Sequence, residues 1–137
     1  MNEQENTKLA QRTYELFKSG DIETLLNMYS DDIVWQLPDM ENVPFGGKRT
    51  GRENVGEFFS LVNDSQEVLQ FEPREFIAQG DKVVILGNYA WRVRSTGREF
   101  SSDFAHVITV KDGKITSFHE YMDSAAASKA HTAAQTA

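Results

Sequence analysis

The chain has 137 residues, 39% of them hydrophobic, and a net charge of −7. That length suits one domain with one core, the acidity argues against a nucleic-acid or anionic-membrane surface, and the absence of cysteine excludes a disulfide framework and a thiolate metal site. No apolar run approaches the ~18 residues of a membrane span, and the opening MNEQENTK lacks the layout of a signal peptide, so the expectation is a soluble, cytoplasmic protein.

Residues 6–18 predict a first helix, with Leu9, Thr13, Leu16 and Phe17 at helical spacing, Tyr14 beside them, and Asn6 or Thr7 as its cap. Gly20 stops it, and Asp21 caps a second helix from Ile22 to Tyr29. Ile33 to Leu37, which includes Trp35, is a short β-rich run ended by Pro38. Residues 39–51 predict a loop whose Met40, Val43 and Phe45 are apolar enough to fold over something, as a lid does. A third helix spans Arg52 to Val62, with Val55, Phe58, Phe59 and Val62 on its inner stripe.

Strands follow. Val68 to Ala78 is one, bent at Pro73, and Lys82 to Arg94 is a second, carrying Tyr89, Trp91 and Val93 on one face. Phe100 to Asp123 is a long hairpin turned by Lys111-Asp112-Gly113. Its first arm places Phe104, His106 and Ile108 on one face, and its second arm does the same with Phe118, Glu120 and Met122. Opposed residues across such a turn have numbers summing to about 225, so His106 and Glu120 are expected to meet. Each arm therefore sets one ionisable residue among apolar ones, which costs free energy unless the two pair. Residues 125–137 are Ala-rich and expected to fray, with Asp123 able to cap a short helix there.

Three helices around one short strand, then a strand meander, predict an α+β domain over residues 1–124. The expected form is a cone-shaped, curved antiparallel sheet with the three helices packed on its concave face. Nine Phe, four Tyr and two Trp supply enough aromatic area to line a cavity as well as fill a core. No phosphate-binding glycine loop, Gly-x-Ser-x-Gly elbow or His-x-x-x-His spacing is present, so no cofactor and no metal are expected.

The segments SGDIETLLNMYSDDIVWQLP, GGKRTGRENVGEFF and HVITVKDGKITSFHEYMD resemble the nuclear transport factor 2-like superfamily, within it the SnoaL-like polyketide cyclases and the ketosteroid isomerases. The resemblance covers about residues 6–124 and implies a cystatin-like α+β barrel. In the isomerases an Asp before a Pro is the base, and here Leu37 holds that place. Their helix tyrosine falls on Thr13, with Tyr14 one position off, and their protonated acid falls on His106. Without those parts acting together, steroid isomerase chemistry is disfavoured. The cyclases place a His and a carboxylate in the last two strands, which His106 and Glu120 match, with Glu where the cyclases have Asp.

The expected partner is therefore a small apolar molecule. Tyr14, Phe17, Trp35, Leu37, Phe45, Phe58, Phe59, Tyr89, Trp91, Phe104, Phe118 and Met122 would line its pocket, and His106 and Glu120 would carry any chemistry. Glu120 would abstract a proton next to a carbonyl, and His106 would orient it or stabilise the enolate oxygen. The plain alternative makes the pair a satisfied core contact in a non-catalytic binding or assembly module. An epoxide hydrolase-like site would need Asp and Arg inside the pocket, whereas Arg92, Arg94 and Asp103 alternate to the outer face. That outer face, with Val107, Thr109 and Tyr121, predicts a homodimer.

Overall fold

The computed structural model describes residues 2–132. Helix α1 (Glu3–Ser19) starts earlier than the cap expected at Asn6 or Thr7, because the Asn2 side chain accepts from the Glu5 N–H and closes the first turn. Asn6 is instead buried and reaches the Gly80 carbonyl. Gly20, at φ 79°, ends the helix in the left-handed conformation that lets its N–H bond back to Leu16 and Phe17.

Helix α2 (Ile22–Leu26) is capped by Asp21 and stops three residues short of the expected end. Tyr29 is recruited into strand β1 (Tyr29–Gln36), and the Met28 carbonyl is already bonded by the Ile115 N–H. The expected loop contains a short strand, β2 (Lys48–Thr50), paired antiparallel with β1. Helix α3 (Arg52–Ser65) is followed by β3 (Gln66–Gln79), β4 (Lys82–Val93), β5 (Glu99–Lys111), β6 (Lys114–Met122) and helix α4 (Ser124–His131).

The six strands form one curled sheet in the order β2-β1-β6-β5-β4-β3. The sheet is antiparallel, as expected, at every pair but one: β1 runs parallel to β6, with Trp35 beside Phe118. The β3–β4 pairing is offset between Val68 and Gln70 and again between Pro73 and Glu75, which bends the sheet near the expected Pro73 position. Gly87 faces Pro73 on one side and Phe104 on the other; a methyl group there would lie 2.6 Å from Phe104 Cζ. Glycine is what allows the three strands to approach at this bend.

The β5–β6 hairpin turns on Asp112 and Gly113, both at positive φ, as a two-residue hairpin turn requires. Next to the turn, Lys111 pairs Lys114 and Val110 pairs Ile115, a sum of 225. A bulge follows, and from Thr109–Ser117 onward the sum is 226. The extra residue is Thr116. It switches the inward positions of β6 from odd to even numbers, from buried Ile115 to Phe118 and Glu120.

The Ala-rich segment does not fray along its whole length. Asp123 caps α4 by accepting from the Ala126 N–H, and Ala127 and Ala130 belong to the main core. Small side chains let this helix dock closely where no large apolar residue signalled docking, so the domain extends past 124 through α4. Thr96 Oγ1 donates to the Ala130 carbonyl at 2.6 Å and Asn42 Nδ2 to Thr132 Oγ1 at 3.1 Å, fixing α4 to the strand turn and to the loop after β1. The fraying expected for 133–137 lies outside the described residues. No described helix is long and apolar enough to cross a membrane.

Candidate functional site

Register and alternation bring the two ionisable residues together. His106 on β5 and Glu120 on β6 are directly opposed, both inward and both buried. Their closest approach is 3.5 Å, from His106 Nε2 to Glu120 Oε1. Tyr14 of α1 places its hydroxyl 2.6 Å from His106 Nδ1, and Tyr89 of β4 donates its hydroxyl to Glu120 Oε2 at 2.5 Å. The result is a four-residue chain: Tyr14, His106, Glu120, Tyr89.

Burial pushes the Tyr14 phenol well above its ordinary pKa, and the neighbouring Tyr29 and Glu120 add to it. Burial also raises Tyr89, reinforced by the charge and hydrogen bond of Glu120. Both phenols therefore keep their protons and act as donors. With Tyr14 donating to Nδ1, the neutral imidazole carries its proton on Nε2, facing Glu120. Glu120 is then asymmetric. Its Oε2 is anchored by Tyr89, while Oε1 has only the long approach of His106 and no hydrogen bond of normal length.

These groups stand in the wall of a cavity of about 90 Å³. From the helices come Tyr14 and Phe17 of α1, and Phe58 and Phe59 of α3; Leu37 and Phe45 come from the segment after β1. Trp35, Phe118, Met122, Tyr89 and Trp91 line it from the strands. Trp35 lies flat on Phe118, ring centroids 3.8 Å apart, and Tyr29, Phe58 and Phe59 enclose the rest of the indole.

Phe104 is the exception among the expected lining residues. Its ring lies over Gly87 and stacks between Tyr89 and His106, at 5.2 and 4.2 Å. It backs the cavity wall and forms no part of its surface.

Sequence reasoning missed Phe71, which touches the rings of Tyr14, Phe17, Tyr89 and Phe104. The two offsets in β3 break the alternation that would have shown it facing inward. Tyr29 was hidden by its assignment to a helix, and Gln66 by lying at the junction of α3 and β3. Thr13, Leu25, Val62, Phe100, Ile108, Ile115 and Ala127 also line the cavity; most were legible as core, and Ala127 carried no signal. Thr13 stands where the resemblance put the isomerase tyrosine, but its hydroxyl bonds the Ala10 carbonyl, and Tyr14 reaches the site instead.

Met40, Val43 and Phe45 are buried, so the segment after β1 folds inward, and Phe45 meets His131 edge to face. Outside, Arg92 bridges Glu67 and Glu99, Arg94 bonds the Asn63 carbonyl, and His119 stacks on Tyr121. Among the described residues, no group of three or more His, Asp or Glu is arranged to hold a metal ion.

The sequence matches the family described as SnoaL-like domain over residues 10–118. An NTF2-like protein from Burkholderia xenovorans LB400 is 32% identical, with a TM-score of 0.88 over 96% of this chain and 99% of that one. TerC, co-crystallised with polyporic acid, is 30% identical, with a TM-score of 0.76 over 92% of this chain and 97% of its own. A Xanthomonas campestris protein with a cystatin-like fold, 21% identical, shares the fold at a TM-score of 0.76 over 98% of this chain and 100% of that one. No curated protein matches. With the family matched over most of its length and the fold shared throughout, the chain belongs to the SnoaL-like domain family.

Proposed function

We propose that this protein is a cofactor-independent enzyme of the cyclase or isomerase type, acting on a small apolar carbonyl compound. The observation that carries this is the asymmetry of Glu120: a carboxylate in an aromatic cavity, held at Oε2 by Tyr89, with Oε1 lacking a hydrogen bond of normal length. A purely structural carboxylate at such a depth has both oxygens satisfied. In the proposed step the C–H bond next to the carbonyl breaks, its proton moves to Glu120 Oε1, and the electron pair becomes an enolate. Charge develops on the enolate oxygen, and the unpaired His106 Nε2–H beside Glu120 is the donor assigned to it. Return of the proton to another carbon completes an isomerisation; attack of the enolate carbon on a second carbonyl completes a cyclisation. TerC, co-crystallised with polyporic acid, supports a small organic ligand for the same fold.

The test is deuterium uptake from D₂O at the acidic CH₂ groups of 2-indanone, followed by proton NMR. The native protein should accelerate uptake, and Glu120→Gln should slow it by ~100-fold or more while changing ketone affinity little. Uptake by Glu120→Gln at the native rate would refute the catalytic role. Tight ketone binding with no uptake in the native protein would favour a non-catalytic binding module.

A further inference from the structure

Among the described residues, eight buried side-chain polar atoms have no hydrogen-bond partner in the protein, and three of them belong to residues lining this one cavity: Trp35 Nε1, Gln66 Oε1 and His106 Nε2. The His106 atom belongs to the chemistry proposed above. Gln66 also borders an outer groove along α3 and β3. Trp35 is different: only 3% exposed, it stands on β1 at the far side of β6 from His106.

A buried indole N–H normally finds an acceptor, and leaving one unpaired costs about 1–3 kcal/mol. The rings around this indole are Tyr29, Phe58, Phe59 and Phe118. They hold it in place and offer little to a water, which needs two to four polar partners to be worth ordering. An acceptor oxygen attached to an apolar frame suits the position better: the frame packs on the rings while the oxygen takes the N–H. Phe118, on which the indole lies, is two residues from Glu120 on the same inner face of β6. Trp35 and Glu120 thus stand in neighbouring parts of one wall.

We propose that Trp35 is a specificity-determining residue, its indole N–H hydrogen-bonding a carbonyl-type oxygen of the ligand. This rests on the reading of the cavity as a small-molecule site and names the chemistry the ligand must carry: an aromatic or otherwise apolar frame bearing an acceptor oxygen. A hydrocarbon of equal size leaves the N–H unpaired and binds more weakly.

Acetophenone and ethylbenzene, close in size and differing in that oxygen, test this in the unmutated protein. The protein is labelled with ¹⁵N and titrated with each. The Trp35 indole resonance is identified by its loss in Trp35→Phe and, should that variant not fold, by its survival in Trp91→Phe. Acetophenone should bind about 10-fold more tightly and shift the Trp35 resonance downfield, and the preference should vanish in a folded Trp35→Phe. Equal affinities, an unmoved Trp35 resonance, or failure of acetophenone to bind would overturn the proposal. Because binding is read rather than proton exchange, a protein that exchanges 2-indanone protons with Trp35 silent would lose this inference and keep the catalytic one.

Discussion

At the scale of single residues, the site is a problem of buried polarity solved by pairing. Tyr14, Tyr29 and Tyr89 all have phenols pushed upward by burial. Above the ordinary tyrosine pKa of about 10, the unfolded chain loses these protons while the folded chain keeps them. The folded state then binds more protons, so stability falls as pH rises. Urea unfolding between pH 9 and 11 should show this decline, and Tyr89→Phe should flatten its slope by about one proton. An unchanged slope in Tyr89→Phe would mean that this phenol ionises freely in the folded protein. The residue identities of the pair were legible because a lone His and a lone Glu interrupt apolar faces. Their tyrosine partners were not legible as partners, since each reaches across from a different element and sequence separation of 92 or 31 residues carries no local signal.

At the scale of elements, the decisive feature is the bulge at Thr116. The hairpin turn alone sets a sum of 225, which would oppose His106 to His119 and turn Glu120 outward. The bulge shifts the register by one and delivers Glu120 to the cavity. The sequence located the partners only to within one residue, because the Asp112-Gly113 turn is a strong signal and a bulge without glycine is nearly silent. Deleting Thr116, the unpaired residue, should leave a plain ladder in which Ser117 to Met122 keep their β5 partners. The expected outcome is retained proton exchange, since His106 still faces Glu120 and Phe118 still faces Ile108. Loss of exchange in a folded deletion variant would show that register alone does not position the base. The same physics explains the weaker readings: the parallel β1–β6 pairing and the edge strand β2 depend on contacts between distant segments, whereas helix ends set by Gly20 and Asp21 depend on local chemistry.

At the scale of the whole molecule, the helices close one face of the sheet and leave the other to solvent or to a partner. Tyr121, Ile77, Val68 and Leu69 are exposed apolar side chains, and Arg92 with its two glutamates stands on the outer face. We predict a homodimer through the outer sheet face; sedimentation at micromolar concentration should give about twice 15.5 kDa, and a monomer mass would contradict it. The α+β architecture was legible from element order. The docking of α4 was not, because alanine packs closely without advertising itself. The central claim, that Glu120 Oε1 is a base aimed at a ligand in this cavity, is tested most directly by a crystal structure with 2-indanone bound. The account predicts an acidic carbon of the ketone within about 3–3.5 Å of Glu120 Oε1, with the carbonyl oxygen toward a buried N–H donor. A ketone bound outside the cavity, or with both acidic carbons turned away from Glu120, would contradict it.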